Sequence, residues 1–444
     1  MTNKTMLTDL YQLTMNAAYF DNQKDDMATF DLFIRKLPEN WGYFLANGIE
    51  DAVDYITNLD FEQDDMDYLR EQGIFKEDFL ETLKEFKFEG DVYAVKEGTP
   101  IFPNEPVMRL TAKRTQAQFV ETALLNMVNF QTMVASKASR VVNAAQGGAV
   151  VDFGLRRAQE EDGAMKGSRA TYLAGAVASS NVKAGKEYGI PIKGTHAHAF
   201  VMSFPTELEA FRAYAKTFPD APTLLIDTYD TEQGARNAVV VGKELLEQGK
   251  KLGAVRLDSG DLADLSKKVR TILDEEGMDY VKIIASNDLN EYKIEDLVNQ
   301  GAKMDGYGVG TEMITAKPTA AISGVYKLAE DGDGAKIKLS EGKKTLPGKK
   351  QIYRQVDENG TYQKDIIALE TEEVGGSPLL ELVVKEGTRA RTKPELSQTR
   401  QYCLDEVAKL PDYLKQTRVQ KQYELELAPQ LETLTETLTQ QYGG

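Results

Sequence analysis

From Gly148 to Gly310 the chain repeats one unit: a short apolar strand, a polar tip, then a helix. The tips are Asp152 after GAVV, Thr195 to His198 after IPIKG, Asp227 after TLLI, Asp258 after AVRL, Ser286 to Asp288 after VKIIA, and Gly308 to Thr311 after MDGY. The helices between them include ARNAVVVGKELLEQGK and LADLSKKVRTILDEEG, and the last four tips follow one another at roughly 30 residues or less, the length of a βα unit. Strands connected in this way run parallel, so their polar ends collect on one side. The pattern predicts an α/β barrel with its active site at the C-terminal mouth of the strands, with an open doubly wound sheet as the alternative.

The flanking segments read differently. Residues 1–115 contain an amphipathic helix around Leu7 to Tyr19, the alternating strand ATFDLFIRKL, and two stretches, GDVYAVKEGTPIF and NEPVMRLTA, broken by Gly and Pro turns. They predict an N-terminal α/β layer domain. From Thr115 the pattern turns helical, with Phe119, Ala123 and Met127 on one face beside Val120, Leu124 and Val128. The barrel domain is placed at 116–327, the layer domain is completed by 328–404, where strand-like text returns, and 405–444 reads as a C-terminal helical segment.

Charge and cysteine usage narrow the function. The 444 residues carry 53 Lys plus Arg against 70 Asp plus Glu, a net charge of −17, which excludes a large phosphate-backbone surface and with it nucleic acid as a partner. Any phosphate chemistry must use a local basic pocket. No stretch approaches the roughly 18 consecutive apolar residues of a membrane span, and MTNKTMLTDLYQLT lacks the apolar core of a signal peptide. One cysteine, Cys403, forms no intramolecular disulfide framework, and the expected location is cytoplasmic.

His196 and His198 are the only histidines, two positions apart in GTHAHAFVMSFP. If KGTHAH continues an extended strand, both point to one face, the spacing of a metal-binding pair, although such centres recruit further histidines that this chain lacks. The alternatives are two merely hydrogen-bonded strand-end imidazoles, or one reactive histidine with a bystander. No Walker pattern occurs. The Gly-rich GYGVGTE lies where barrels commonly bind a phosphate through backbone N–H groups, and is also compatible with a tight turn. Arg256, two residues before Asp258, sets an anion-binding guanidinium beside a carboxylate suited to a hydroxyl or magnesium; a buried salt bridge is the plainer reading.

Seven motifs in order, TDLYQLTM (8–15), DFGLRRAQ (152–159), GTHAHAFVMSF (194–204), LIDTYDT (225–231), VRLDSGDL (255–262), GVGTEM (308–313) and KTLPGKK (344–350), resemble nicotinate phosphoribosyltransferases and span most of the chain. The resemblance implies an irregular, TIM-like α/β barrel of the type II phosphoribosyltransferase kind. It would be joined to an α/β layer domain built from N- and C-terminal segments, in a homodimer with active sites at the subunit interface. It implies the reaction of nicotinate with phosphoribosyl pyrophosphate to give nicotinate mononucleotide and pyrophosphate, feeding NAD synthesis, coupled ligase-fashion to ATP with magnesium on the phosphates. His198, last in the family's G-T-x-A-H motif, would be phosphorylated transiently, and His196, at the variable position, would be incidental. By the same match Phe153 would stack on the nicotinate ring, with Tyr11 of the other subunit opposite. Arg256 would meet its carboxylate end, and Arg156 and Arg157 that carboxylate or the donor phosphates. Gly308, Gly310 and Thr311 would hold the 5′-phosphate, and Asp258 the ribose hydroxyls or magnesium. Asn181, where nicotinamide-using relatives carry an acid, would suit an anionic base.

Overall fold

The computed structural model describes residues 3–443, which divide into two compact units: the residues up to Met133 together with those from Ala321 onward, and Val134–Ala320. The boundary falls inside the long helix Glu121–Ala144.

The second unit holds a six-stranded, wholly parallel sheet. Its strands are β1 (Ala149–Asp152), β2 (Ala178–Ser179), β3 (Thr223–Leu225), β4 (Ala254–Leu257), β5 (Lys282–Ala285) and β6 (Gly306–Val309). Val150, Leu224, Val255, Ile283 and Val309 are almost wholly buried, while Val151 and Ile284, on the opposite face from Val150 and Ile283, are partly exposed. The helices are α1 (Glu160–Leu173), α2 (Val182–Tyr188), α3 (His198–Met202), α4 (Glu207–Thr217), α5 (Thr231–Glu247), α6 (Leu262–Glu275), α7 (Glu291–Asn299) and α8 (Thr311–Ile314). Five start on a side-chain cap written in the sequence. Asn181, Thr206, Asp230, Asp261 and Asn290 each accept from N–H groups of the first turn, which fixes where each helix leaves its loop.

The sheet order is β2-β1-β6-β5-β4-β3, so the consecutive strands β2 and β3 lie at opposite ends. The expected strand IPIKG between them is not a sheet strand. Pro191 rigidifies it, and only Ile192 bridges Ser179, on the side of β2 away from β1. In a flat sheet that side would stand about 29 Å from β3, six spacings of about 4.8 Å. Yet His196, four residues on, bonds to Leu225 of β3, although four extended residues reach only about 14 Å. The sheet is therefore curled into a partial barrel, open along one seam.

In the first unit N- and C-terminal segments share one sheet. Strand Gly324–Asp331 pairs with Met27–Ile34, which pairs with Pro106–Lys113, and Glu381–Lys385 pairs with Asp91–Ala94. A second sheet joins Lys350–Val356, Tyr362–Leu369 and Glu424–Leu427. That last strand corrects the helical reading of the C-terminal stretch. The alternation in YELEL suits pairing along Tyr362–Leu369, and helices Asp412–Lys415 and Pro429–Tyr442 flank it. Lys350 of the basic KTLPGKK stretch points inward and is 3% exposed. Its Nζ lies 2.8 Å from Asp31 Oδ2 and donates to the carbonyls of Leu346, Pro347 and Gly348, so it organises its own loop.

A buried pair broken on one side leaves an uncompensated charge. Lys350→Met should lower stability by roughly 3 to 5 kcal/mol, and adding Asp31→Leu should recover much of that loss. Chemical denaturation of the two variants checks this; a single variant as stable as the parent would contradict it.

Candidate active site

The rim at the C-terminal ends of the strands is built from buried supports and half-exposed tips. Asp152, ending β1, is wholly buried and accepts from Gly154 N–H (2.8 Å), Ser168 Oγ of α1 (2.9 Å) and Ser179 Oγ of β2 (2.7 Å). Burial still pushes its carboxyl above the usual carboxylate range against the pull of these donors. Asp152 thus ties three elements together and is not a free site group. Asn181 extends the same network. It is 1% exposed, caps α2 by accepting from Ala184 N–H (3.1 Å), and donates from Nδ2 to Ser168 Oγ (3.3 Å). A hollow of about 180 Å³ lies beside it, lined by Leu155, Met165 and Val182 among others.

Phe153 follows Asp152, and its ring lies against Gly308 of β6. A Cβ at Gly308 would come within 2.4 Å of that ring. Gly308 therefore sits inside the strand rather than at its tip, where only glycine leaves room for the Phe153 ring. Gly310 and Thr311 do lie at the tip, at the start of α8.

The two histidines are not a pair on one strand face, because the chain turns into α3 at His198. His196 is 7% exposed and its Nε2 accepts from Leu225 N–H (3.2 Å). Burial lowers its pKa to about 4, with the nearby Arg256 and His198 acting in the same direction. That bond occupies Nε2 while Nδ1 is buried without a partner, and among the described residues the two imidazoles join no group of three or more potential metal ligands. His198 presents a half-exposed ring at the mouth, its Nδ1 3.1 Å from Thr228 Oγ1 and its Nε2 3.8 Å from Asp258 Oδ2.

Asp258 is held in place from both sides. Its Oδ1 accepts from Ser286 Oγ (2.5 Å), and its backbone N–H donates to Asp227 Oδ2 (2.7 Å), which also accepts from Ser259 Oγ (2.7 Å). Arg256, pointing from β4, donates to Thr195 Oγ1 (2.5 Å) and the His196 carbonyl (3.3 Å), while its Nε is buried without a partner. Burial lowers its pKa, offset by Asp258 and Asp227, and Arg156 is near enough to lower it further. Arg156 and Arg157 lie exposed on the short turn Leu155–Arg157, and neither makes an ion pair among the described residues. Tyr11 belongs to the other unit, on helix Leu10–Asp21, and is 46% exposed.

Two features escaped the sequence reading, and a third, the polar tip Ser286 to Asp288, was read as a tip but not for its backbone. Thr228, next to Asp227 in LIDTYD, is the hydroxyl on His198. Asn287 and Asp288 take left-handed φ values of 97° and 45° at the tip of β5, where backbone strain concentrates at functional sites. Buried Lys137 and Arg140 grip Glu291 at the start of α7, at 2.5 and 3.2 Å. The first two were visible as polar residues beside strand ends; the last joins residues 154 and 151 positions apart, with no local signal.

A curled parallel sheet with a carboxylate, a hydroxyl and a half-exposed histidine at one end of its strands, beside unpaired arginines, defines a partial α/β barrel of the type II phosphoribosyltransferase class. Family profiles agree in three stretches: the nicotinate phosphoribosyltransferase (NAPRTase) N-terminal domain at 6–129, the nicotinate phosphoribosyltransferase (NAPRTase) family at 149–336, and the nicotinate phosphoribosyltransferase C-terminal domain at 374–435. A nicotinate phosphoribosyltransferase of Mycobacterium tuberculosis, pncB2, is 43% identical over 412 residues, 92% of this chain and 88% of that protein. One of Bacillus subtilis is 41% identical over 453 residues, 95% of this chain and 92% of the relative. The crystal structure of human nicotinic acid phosphoribosyltransferase superposes with a TM-score of 0.85 at 28% identity, covering 97% of this chain and 99% of that one. The chain belongs to the nicotinate phosphoribosyltransferase family.

Asn181→Asp keeps the cap on α2 but sets a second buried carboxylate on the Ser168 hydroxyl that Asp152 already uses. Its folded-state pKa should be raised, so the loss is small where both carboxyls are protonated and grows as pH rises through and above the carboxylate range. Melting curves should show a loss of roughly 1 to 3 kcal/mol at pH 8 and a smaller one at pH 5; an equal loss at both would contradict this network.

Proposed function

We propose that the chain transfers the phosphoribosyl group of phosphoribosyl pyrophosphate to nicotinate, giving nicotinate mononucleotide and pyrophosphate, and that ATP drives this through a transient phosphohistidine at His198. The observation that carries the reading is the setting of His198, with Thr228 on one ring nitrogen and Asp258 on the other side. A carboxylate only accepts, so Asp258 favours the tautomer with the proton on Nε2 and leaves the Nδ1 lone pair free once Thr228 swings aside. In that reading Nδ1 attacks the γ-phosphorus. A P–N bond forms, the P–O bond to the β-phosphate breaks, and ADP leaves with the electron pair; water later takes the phosphoryl group.

In the ribosyl step the nicotinate nitrogen bonds to C1 of the ribose as the C1–O bond breaks and pyrophosphate leaves with its electrons. The cation-like transition state calls for fixed negative charge near the ribose and positive charge near the leaving group. Asp258, immobilised by Ser286 and Asp227, supplies the first, and unpaired Arg156 and Arg157 suit the second or the substrate carboxylate. Phe153 offers a face for the pyridine ring, Arg256 a cation for its carboxylate end, and Gly310 with Thr311 donors for the 5′-phosphate. Magnesium would enter with the polyphosphates as part of the substrates, and Asp258 is the carboxylate that would meet it. Assembly as a homodimer would bring Tyr11 of a second copy to the ring. Among the described residues no helix is long and apolar enough to cross a membrane.

Purified protein given nicotinate, phosphoribosyl pyrophosphate and magnesium should form nicotinate mononucleotide, stimulated about tenfold or more by ATP. His198→Ala should lose the stimulation. No product under any condition would overturn the reaction, and stimulation surviving in the variant would overturn the phosphohistidine.

A further inference from the structure

We infer that His196 is a positioning residue for His198: its ring, held as an acceptor for the Leu225 N–H, pins Thr195–His198 across the seam of the partial barrel and so sets where the reactive imidazole stands. The inference rests on the reading of His198 as the phosphoryl acceptor.

Leu225 lies on β3, an edge of the sheet, and is wholly buried, so its outward N–H needs a partner from outside the ladder. His196 Nε2 supplies it at 3.2 Å, in the place a seventh strand's carbonyl would take. The attachment is reinforced from two further elements. Arg256 of β4 holds the carbonyl of His196 and the hydroxyl of Thr195. The ring of His196 packs edge-on against Tyr214 of α4 at 4.7 Å between centroids, and near Phe200 of α3 at 5.4 Å. One residue, Ala197, separates this anchored ring from His198.

The site asks for a particular side chain. It must be flat and largely apolar to pack on Tyr214, and it must accept at its tip; a charged imidazole would donate there and meet the Leu225 N–H donor to donor. Every charged or titratable group facing the ring agrees with the neutral form: Arg256 from β4 and His198 from α3 both oppose a further positive charge, and the Tyr214 hydroxyl belongs to a neutral phenol. Phenylalanine has the ring without the acceptor, glutamine the acceptor without the ring, and leucine neither.

The test measures transfer of labelled γ-phosphate from ATP to the protein in the parent and in His196→Gln, His196→Leu and His196→Phe, with melting curves of each. Glutamine should keep labelling within a few-fold of the parent. Leucine and phenylalanine should slow it on the order of tenfold to a hundredfold, the scale of a misplacement near 1 Å. Labelling that follows melting temperature, or that is alike in the glutamine and leucine variants, would overturn the inference, because the acceptor would then be irrelevant. A parent that takes no label would overturn the phosphohistidine reading, and the inference with it, before any variant is compared. If the phenylalanine variant does not fold, the glutamine and leucine pair decides.

Discussion

A parallel sheet that curls but does not close leaves a backbone edge inside the protein, and the site of this enzyme is assembled around how that edge is satisfied. Six strands run one way, so every strand delivers its following residue to the same rim. Between β2 and β3 the ladder stops, and the segment crossing the gap has Pro191 and Lys193 bonded to Ser179 at one edge and His196 bonded to Leu225 at the other. The half-exposed part of the rim grows out of that crossing: His198 is the next side chain but one, and Thr228 and Asp258 extend from the ends of β3 and β4 to meet it.

The rim divides its polar groups into buried ones that hold the loops and half-exposed ones that face solvent. Asp152, Asp227, Asn181 and His196 are at most 8% exposed, and each spends its bonds on backbone or hydroxyl groups. His198 and Asp258 are more open, at 40% and 38% side-chain exposure, with Asp227 and Ser286 holding Asp258 and Thr228 on the His198 ring. Buried polar atoms bonded in fixed geometry lose little on reaction, since they need not reorganise when charge appears. Arg156 and Arg157 are exposed cations that make no ion pair among the described residues, in a chain of net charge −17.

Much of this was legible in the residues. The strand, tip and helix repeat gave the parallel unit because hydrophobic periodicity and Asx caps are local properties. The acidic tips Asp152, Asp227 and Asp258 were found for the same reason. What was not legible depends on approach between distant segments. Nothing near Gly308 says that Phe153 will lie on it, and GTHAH reads as a strand until Pro191 and the turn at His198 break the pairing. The role of His196 lies in a neighbour 29 residues away, and Lys350 looks like part of a basic surface until its four acceptors are seen.

The central claim is that the mouth of the β1–β6 sheet is where substrate binds. A crystal structure with nicotinate mononucleotide tests it most directly. The account predicts the pyridine ring against Phe153, the 5′-phosphate at Gly310 and Thr311, and ribose oxygens toward Asp258. A nucleotide bound away from the rim, with Phe153 and Asp258 untouched, would contradict it.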